Sequence, residues 1–333
     1  MIEFRIIIFS FILTVSIYAT YLLFLINVIF GFIFLAVLII NTLSLLTIYF
    51  QYLFWPYHKW ISTSLVAFQK VEIPSKIPGK YLKGLVIRDK KSDPKEKQIG
   101  ILFHHGYASK KEKYFHFIIP LALNGFTVLC YDARGHGESK NKAFRSNNFV
   151  GIMSDIKNAI DFLEKIDGVD GNRLIMMGHS MGAIAALSQG YQDKRLKKIV
   201  GLAASFDLLE LFNKYKRKIF SVTGIFLKII KRKITKNLKF PLKEINKEMS
   251  PRYFFDKKHP VPNKDRVYLV HCKKDIQIDF EEALKIKEAL NLPKENVLFL
   301  EKPERKYLNS HSFMGQATII SDFLIKVANG LKE

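Results

Sequence analysis

The pattern of apolar and polar positions divides the chain into parts with different periodicities. From Ile6 to Tyr57 no Lys, Arg, Asp, Glu or His interrupts a run rich in Ile, Leu and Phe. As one straight helix this run would measure about 78 Å at about 1.5 Å per residue, more than twice the ~30 Å hydrocarbon core of a bilayer. The run must fold back, and a hairpin of two membrane spans at about 5–27 and 32–54, turning near Asn27 and Gly31, is the simplest solution. Beyond residue 80 the pattern shortens. Apolar runs of strand length near 82–88, 98–103, 126–132, 173–178, 197–203, 266–271 and 296–301 alternate with helical patterns near 112–124, 149–166, 181–191, 279–290 and 313–329. That alternation predicts an α/β fold, a mostly parallel sheet flanked by helices. Residues 61–80, with Pro74, Pro78 and Gly79, read as a linker, and the charged run 89–97 as a solvated hairpin loop.

One motif in this alternation carries chemistry. Gly178-His179-Ser180-Met181-Gly182 lies between an apolar strand and a helix-forming run. A G-x-S-x-G turn holds its serine in a strained conformation with the hydroxyl exposed, and its glycines avoid collisions with neighbouring backbone. An activated serine needs a histidine to accept its proton and a carboxylate to hold that histidine's tautomer, in this setting in the order Ser, Asp, His. Asp275 follows the strand-like Arg266–Cys272 and is the acid favoured; Asp279 competes for that role but also suits the cap of the helix that follows it. Of nine histidines only His311 lies beyond Asp275, which makes it the base. An oxyanion would be met by the peptide N–H of Met181 and by that of Tyr107, in the loop His104-His105-Gly106-Tyr107 after an earlier strand. Asp132-Ala-Arg-Gly-His-Gly-Glu-Ser139 closes the next strand; Asp132, Arg134, Gly135 and Gly137 read as structural.

Together, His105-Gly106, the Asp132–Ser139 run, Gly178–Gly182, Asp275 and His311 resemble the α/β-hydrolase superfamily, nearest to its monoacylglycerol lipase and serine aminopeptidase S33 group, over about residues 80–330. The resemblance implies the α/β-hydrolase fold, Ser180 as nucleophile, His311 as base, Asp275 as orienting acid and the Tyr107 and Met181 N–H groups as oxyanion hole. Some superfamily members carry the acid after the sixth strand, which would select Asp207. The resemblance also implies a helical cap inserted at about 207–260, so that residues 81–333 form one hydrolase domain after a hairpin at 1–60. It implies hydrolysis of an acyl ester such as a monoacylglycerol or lysophospholipid. Peptidase or thioesterase chemistry on the same residues is the alternative, with a non-catalytic scaffold as a third reading. Neither a cofactor nor a metal is expected.

Charge adds partners to this picture. The 52 Lys and Arg against 30 Asp and Glu give a net charge of +22. Lys214 to Lys239 holds ten basic and no acidic residues, interleaved with Ile, Phe and Leu. Such a stretch suits anionic lipid headgroups, each basic residue near the surface adding about 1 kcal/mol, and equally suits a solvated helix face. No recognition motif for nucleic acid accompanies the charge. A cap poor in acids favours acyl esters over a substrate with a free cationic amine. Tyr49, Tyr52, Trp55, Tyr57 and Trp60 are placed as an interfacial belt, and the apolar run is too long for a cleavable signal peptide. Arg5 before the first span and Lys59 and Lys70 after the second put both flanks, and the catalytic domain, on the cytoplasmic side. Cys130 and Cys272, both in strand-like runs, read as inert core thiols.

Overall fold

The computed structural model describes residues 2–26, 28–54, 64–93, 96–141, 148–216, 242–255, 264–275, 277–301, 310–313 and 315–332. They fall into two units, 1–60 and 61–333.

In the first unit, helix α1 runs over Ile2–Ile26 and α2 over Val28–Phe54. Their hydroxyl and amide side chains turn back on their own helices: Thr14, Thr20, Asn41 and Thr42 each donate to the carbonyl four residues earlier. Phe11, Tyr18, Phe32 and Ile40 are exposed. Among the described residues no helix is long and apolar enough to cross a membrane. The expected spans are therefore present as helices, and their membrane-spanning character is not supported. The turn differs too: Asn27 lies outside the described residues, while Gly31 sits inside α2. Of the belt residues, Tyr49 and Tyr52 lie in α2, and Trp55, Tyr57 and Trp60 lie outside the described residues.

The second unit is built on an eight-stranded sheet in the order β1-β2-β4-β3-β5-β6-β7-β8. The strands are β1 Val66–Pro74, β2 Tyr81–Asp89, β3 Gln98–His104, β4 Thr127–Tyr131, β5 Val169–His179, β6 Leu196–Leu202, β7 Val267–Cys272 and β8 Val297–Leu300. From β4 to β8 all pairings are parallel, whereas β1 and β2 pair antiparallel with each other and β2 antiparallel with β4. The near-continuous apolar runs in β3, β5 and β7 follow from burial on both faces. In β5, Leu174 and Met176 join the core on one face while Ile175 and Met177 join the other.

Helices cover both faces. Helix α4, Phe149–Glu164, buries Ile152, Ile156, Ile160 and Leu163 at helical spacing in the first core. Helices α3, Phe115–Leu123, and α9, Ala317–Asn329, pack into the second through Phe117, Ile118, Leu121, Ile320, Leu324 and Val327. Each such side chain, fully buried, contributes about 1.5–3 kcal/mol. The remaining helices are α5 Met181–Ala185, which continues into a π-type turn at Ala186–Gly190, α6 Leu208–Lys216, α7 Leu242–Met249 and α8 Phe280–Leu290.

Two expectations fail here. The supposed linker 61–80 holds β1, paired over its whole length with β2; Ser75–Lys80 is a tight turn, with Ser75 N–H on the Lys80 carbonyl at 2.9 Å. The loop 89–97 is no hairpin, because β2 and β3, which it joins, are separated by β4. Of the cap at 207–260, α6, α7 and a short turn at Pro251–Tyr253 are described. Its basic stretch 214–239 lies outside the described residues, apart from the end of α6.

Candidate active site

From β3 the chain crosses to β4 on one side and later to β5 on the other, so the order in which strands are added reverses between β3 and β5, which run parallel. In open α/β sheets the carboxyl ends of strands at such a reversal form a crevice. The G-x-S-x-G turn ends β5 there and the His104–Tyr107 loop ends β3.

Ser180 adopts φ 53° and ψ −114°, a conformation that costs a non-glycine residue about 1–3 kcal/mol. The surroundings hold it: its N–H donates to the Leu202 carbonyl at 2.8 Å, and Ile184 N–H donates to its carbonyl at 3.0 Å. Both flanking glycines are forced. A Cβ on Gly178 would lie 2.1 Å from the Gly182 carbonyl oxygen, and one on Gly182 2.1 Å from that of His104. Strand and helix are thus pressed together at the turn, and the serine is pushed to its tip.

Asp275 and His311 meet. His311 Nδ1 donates to Asp275 Oδ2 at 2.8 Å, and both residues are buried. The other carboxylate oxygen, Oδ1, accepts the N–H groups of Gln277 at 2.8 Å and Ile278 at 3.0 Å. His271, at the end of β7, donates Nε2–H to the Ile278 carbonyl and stands 3.8 Å from Oδ2. Burial alone would raise the Asp275 carboxyl. The His311 imidazole, its hydrogen bond, His271 and the Ile278 N–H outweigh that effect and hold the group below the usual carboxylate range. Of the rival carboxylates, Asp207 is otherwise engaged. Asp207 accepts from the N–H groups of Leu209 and Glu210, from Asn246 and from Arg252, capping α6 and tying down the base of the cap. Asp279 stands at the N-cap position of α8, but its side chain makes no capping hydrogen bond there.

Gly106 brings the β3 loop against the nucleophile. A Cβ there would be 3.3 Å from Ser180 Cβ, and Tyr107 is the next residue along the loop. Met181 opens α5, where backbone N–H groups lack helical partners and the dipole favours negative charge. His105 fixes the loop: its Nδ1–H donates to the Gly106 carbonyl at 2.7 Å, and its Nε2 accepts Ala133 N–H at 2.9 Å. Burial, with His104 and His136 nearby, depresses His105 and keeps it neutral.

The Asp132–Ser139 run is scaffolding. Asp132 accepts from the Lys111 N–H, Lys111 Nζ and Glu138 N–H, and a Cβ on Gly137 (φ 44°) would lie 2.2 Å from its carboxylate. Lys111 Nζ also reaches Glu112 and Glu138 at 3.0 and 2.5 Å, so an ammonium occupies the space between three carboxylates. Arg134 makes two bonds to Asp155 of α4, at 2.6 and 2.7 Å, with both groups buried. Cys130 is free and buried, and burial pushes its thiol up. A groove of about 760 Å³ lined by Lys76, Ser154, Lys157, Gln192 and Lys194 contains none of the site residues.

Sequence reasoning missed His179. Its Nε2 lies 2.7 Å from the His311 carbonyl oxygen, and its Nδ1 lies 2.9 Å from Tyr114 Oη. The only signal in the sequence was a histidine adjoining the nucleophile, whose partner stands 132 residues away.

The family model for serine aminopeptidase S33 matches residues 95–274, just over half of the chain, and the chain belongs to this α/β-hydrolase family. It is 28% identical over 134 residues to the uncharacterized protein YcjY of Escherichia coli, covering 40% of this chain and 44% of that one. It is 29% identical over 131 residues to thiohydrolase apmlB of Arthrinium phaeospermum, covering 39% and 43%. The matches thus span less than half of each relative. The acetyl xylan esterase from Paenibacillus sp. R4 superposes with TM-score 0.56 at 16% identity, over 81% of this chain and 86% of that one, a likeness of fold.

Proposed function

We propose that this chain is a serine hydrolase that transfers the acyl group of a lipid-like ester to water. One observation carries the reading: a serine held at positive φ on a strand-to-helix turn, and a buried histidine that donates to a carboxylate at 2.8 Å and whose ring lies 4.9 Å from that of His179, the residue before the serine. Ser180 Oγ attacks the acyl carbonyl while His311 Nε2 takes its proton, and Asp275, held anionic, keeps the imidazole in the tautomer that presents a lone pair to the serine. The Tyr107 and Met181 N–H groups receive the oxyanion. His311 then protonates the departing alcohol, leaving an acyl-enzyme that water cleaves with the same base.

A monoacylglycerol or lysophospholipid is the favoured substrate, and attachment to a bilayer belongs to the same proposal. Its support is the exposure of Phe11, Tyr18, Phe32 and Ile40 on helices with no charge from Ile6 onward, together with the ten basic residues between Lys214 and Lys239. Exposed apolar surface of this extent marks an interaction site. The basic residues Arg5, Lys59 and Lys70 that flank the apolar run favour a catalytic unit on the cytoplasmic face. The alternatives are peptidase chemistry, suggested by the family's name, and thioester hydrolysis, suggested by the name of the relative apmlB.

The test is an acyl series, from short nitrophenyl esters to long-chain monoacylglycerols and lysophospholipids, with Ser180→Ala as control and vesicle flotation in parallel. A Ser180-dependent rate that rises with chain length, in protein that floats with anionic vesicles, supports the reading. Equal rates for the two proteins on every ester would sink it, and turnover confined to aminoacyl or thioester substrates would favour an alternative.

A further inference from the structure

His179 is buried between the nucleophile turn and the loop that carries His311. A carbonyl only accepts, so the 2.7 Å contact with the His311 carbonyl fixes the proton of His179 on Nε2. Nδ1 then offers a lone pair, and the Tyr114 hydroxyl donates to it at 2.9 Å. The Tyr114 oxygen in turn accepts the Gly106 N–H at 3.0 Å. One directional chain therefore runs from Gly106 N–H through Tyr114 and His179 to the backbone of His311. Its first member precedes Tyr107, its third precedes Ser180, and its last is His311 itself. The His179 ring also lies against the His311 ring, centroids 4.9 Å apart, and meets Phe313 edge-on at 5.8 Å.

We infer that His179 is a positioning residue: it sets the His311 imidazole relative to Ser180 from the backbone side and, through Tyr114, holds the Gly106–Tyr107 loop in register with both. Asp275 fixes the tautomer and tilt of the His311 ring through Nδ1; His179 fixes the peptide from which that ring hangs. A group adjoining an imidazole that becomes cationic in turnover must itself stay neutral. Burial, reinforced by the proximity of His311, lowers His179 to about 3, so it remains an uncharged donor throughout. The residue before the nucleophile suits this task because the strained turn throws Ser180 outward and its neighbour inward.

The inference rests on the serine hydrolase reading, and the experiment separates the two. Full-length protein and its His179→Leu, His179→Gln and Tyr114→Phe variants are treated with a fluorophosphonate, which labels an activated serine whatever the natural substrate, and assayed on a nitrophenyl ester, with thermal melts as a check on folding. Leu removes the bond to the His311 carbonyl, whereas the Gln side-chain amide can still donate to it. Expected for His179→Leu is a fall of about 10- to 100-fold in labelling rate and kcat with KM within about threefold, the scale of a misplaced catalytic group. His179→Gln should recover most of the loss, and Tyr114→Phe should fall in between. Should His179→Leu fail to fold, Gln and Phe carry the comparison: labelling by Tyr114→Phe at the wild-type rate would overturn the relay. Wild-type rates in His179→Leu, or equal losses for Leu and Gln, would overturn the positioning role. Absence of labelling in the wild-type protein would overturn the hydrolase reading itself.

Discussion

Replacing Asp275 by Asn tests the geometry at its most constrained point. The substitution is nearly isosteric, so its effect turns on which way the new amide faces. Oδ1 accepts two backbone N–H groups, from Gln277 at 2.8 Å and Ile278 at 3.0 Å. Placing the amide NH2 there would leave these buried donors unpaired at about 1–3 kcal/mol each, so the oxygen stays and the NH2 takes the place of Oδ2. There it faces His311 Nδ1, which must then accept, and the imidazole proton moves to Nε2. The base is turned into a donor toward Ser180. Loss of the correct tautomer is worth about 10³- to 10⁴-fold in kcat, or about 4–5.5 kcal/mol. Asp275→Ala imposes no such orientation, so Asn should be at least as damaging as Ala. The assay is burst and steady-state hydrolysis of a nitrophenyl ester, with melting temperature as the folding control. A kcat for Asp275→Asn within tenfold of wild type, or clearly above that of Asp275→Ala, would refute the assignment.

Acid should destabilise the fold. Burial depresses His104 to about 4 and His179 to about 3, and lowers His105, His136 and His271. Between those values and about 6.5 the unfolded chain binds protons that the folded one refuses, so stability is full above about pH 6.5 and falls as pH drops through this window. A melting temperature that stays level from pH 7.5 to 5 would contradict it. Gly182→Ala, whose Cβ would meet the His104 carbonyl, should lower both stability and activity severely; Gly79→Ala, at φ 68° with open space around it, should cost only about 1 kcal/mol and spare activity. Comparable melts for the two variants would argue against the close packing of the turn. Asp155→Ala removes two bonds from the buried Arg134 guanidinium and should cost about 3–5 kcal/mol in denaturant unfolding, much of it restored by Arg134→Met in the same chain. A double variant no more stable than Asp155→Ala would show that the buried charge is not the cause.

What could be seen in the sequence was what the backbone demands locally. Gly178 and Gly182 are visible because no other residue fits at 2.1 Å from a carbonyl, and the parallel strands because burial on both faces makes them continuously apolar. Asp275 and His311 could be paired in advance only through their order in the chain. Strand β1 was hidden because Pro74, Pro78 and Gly79 suggest a linker, whereas Pro74 ends the strand opposite Tyr81 and the other two make the turn. An edge strand with mostly exposed side chains has little apolar signature of its own. The role of His179 was illegible because its partners, Tyr114 and His311, lie 65 and 132 residues away. Asp207 could not be told from a catalytic acid until Asn246 and Arg252 were seen to occupy it.

The order of Ser180, Asp275 and His311 along the chain bears on how the site is made. Ribosomes add about 5–20 residues per second, and the turn that carries Ser180 leaves the ribosome about 7–26 s before the loop that brings its base. Throughout that interval the nascent chain holds a serine without a partner. Its acid also arrives early, since Asp275 precedes His311 by 36 residues. On the proposed reading, reactivity toward acyl groups therefore waits until residue 311 has been added, and a product cut short before it carries the nucleophile turn without the means to use it.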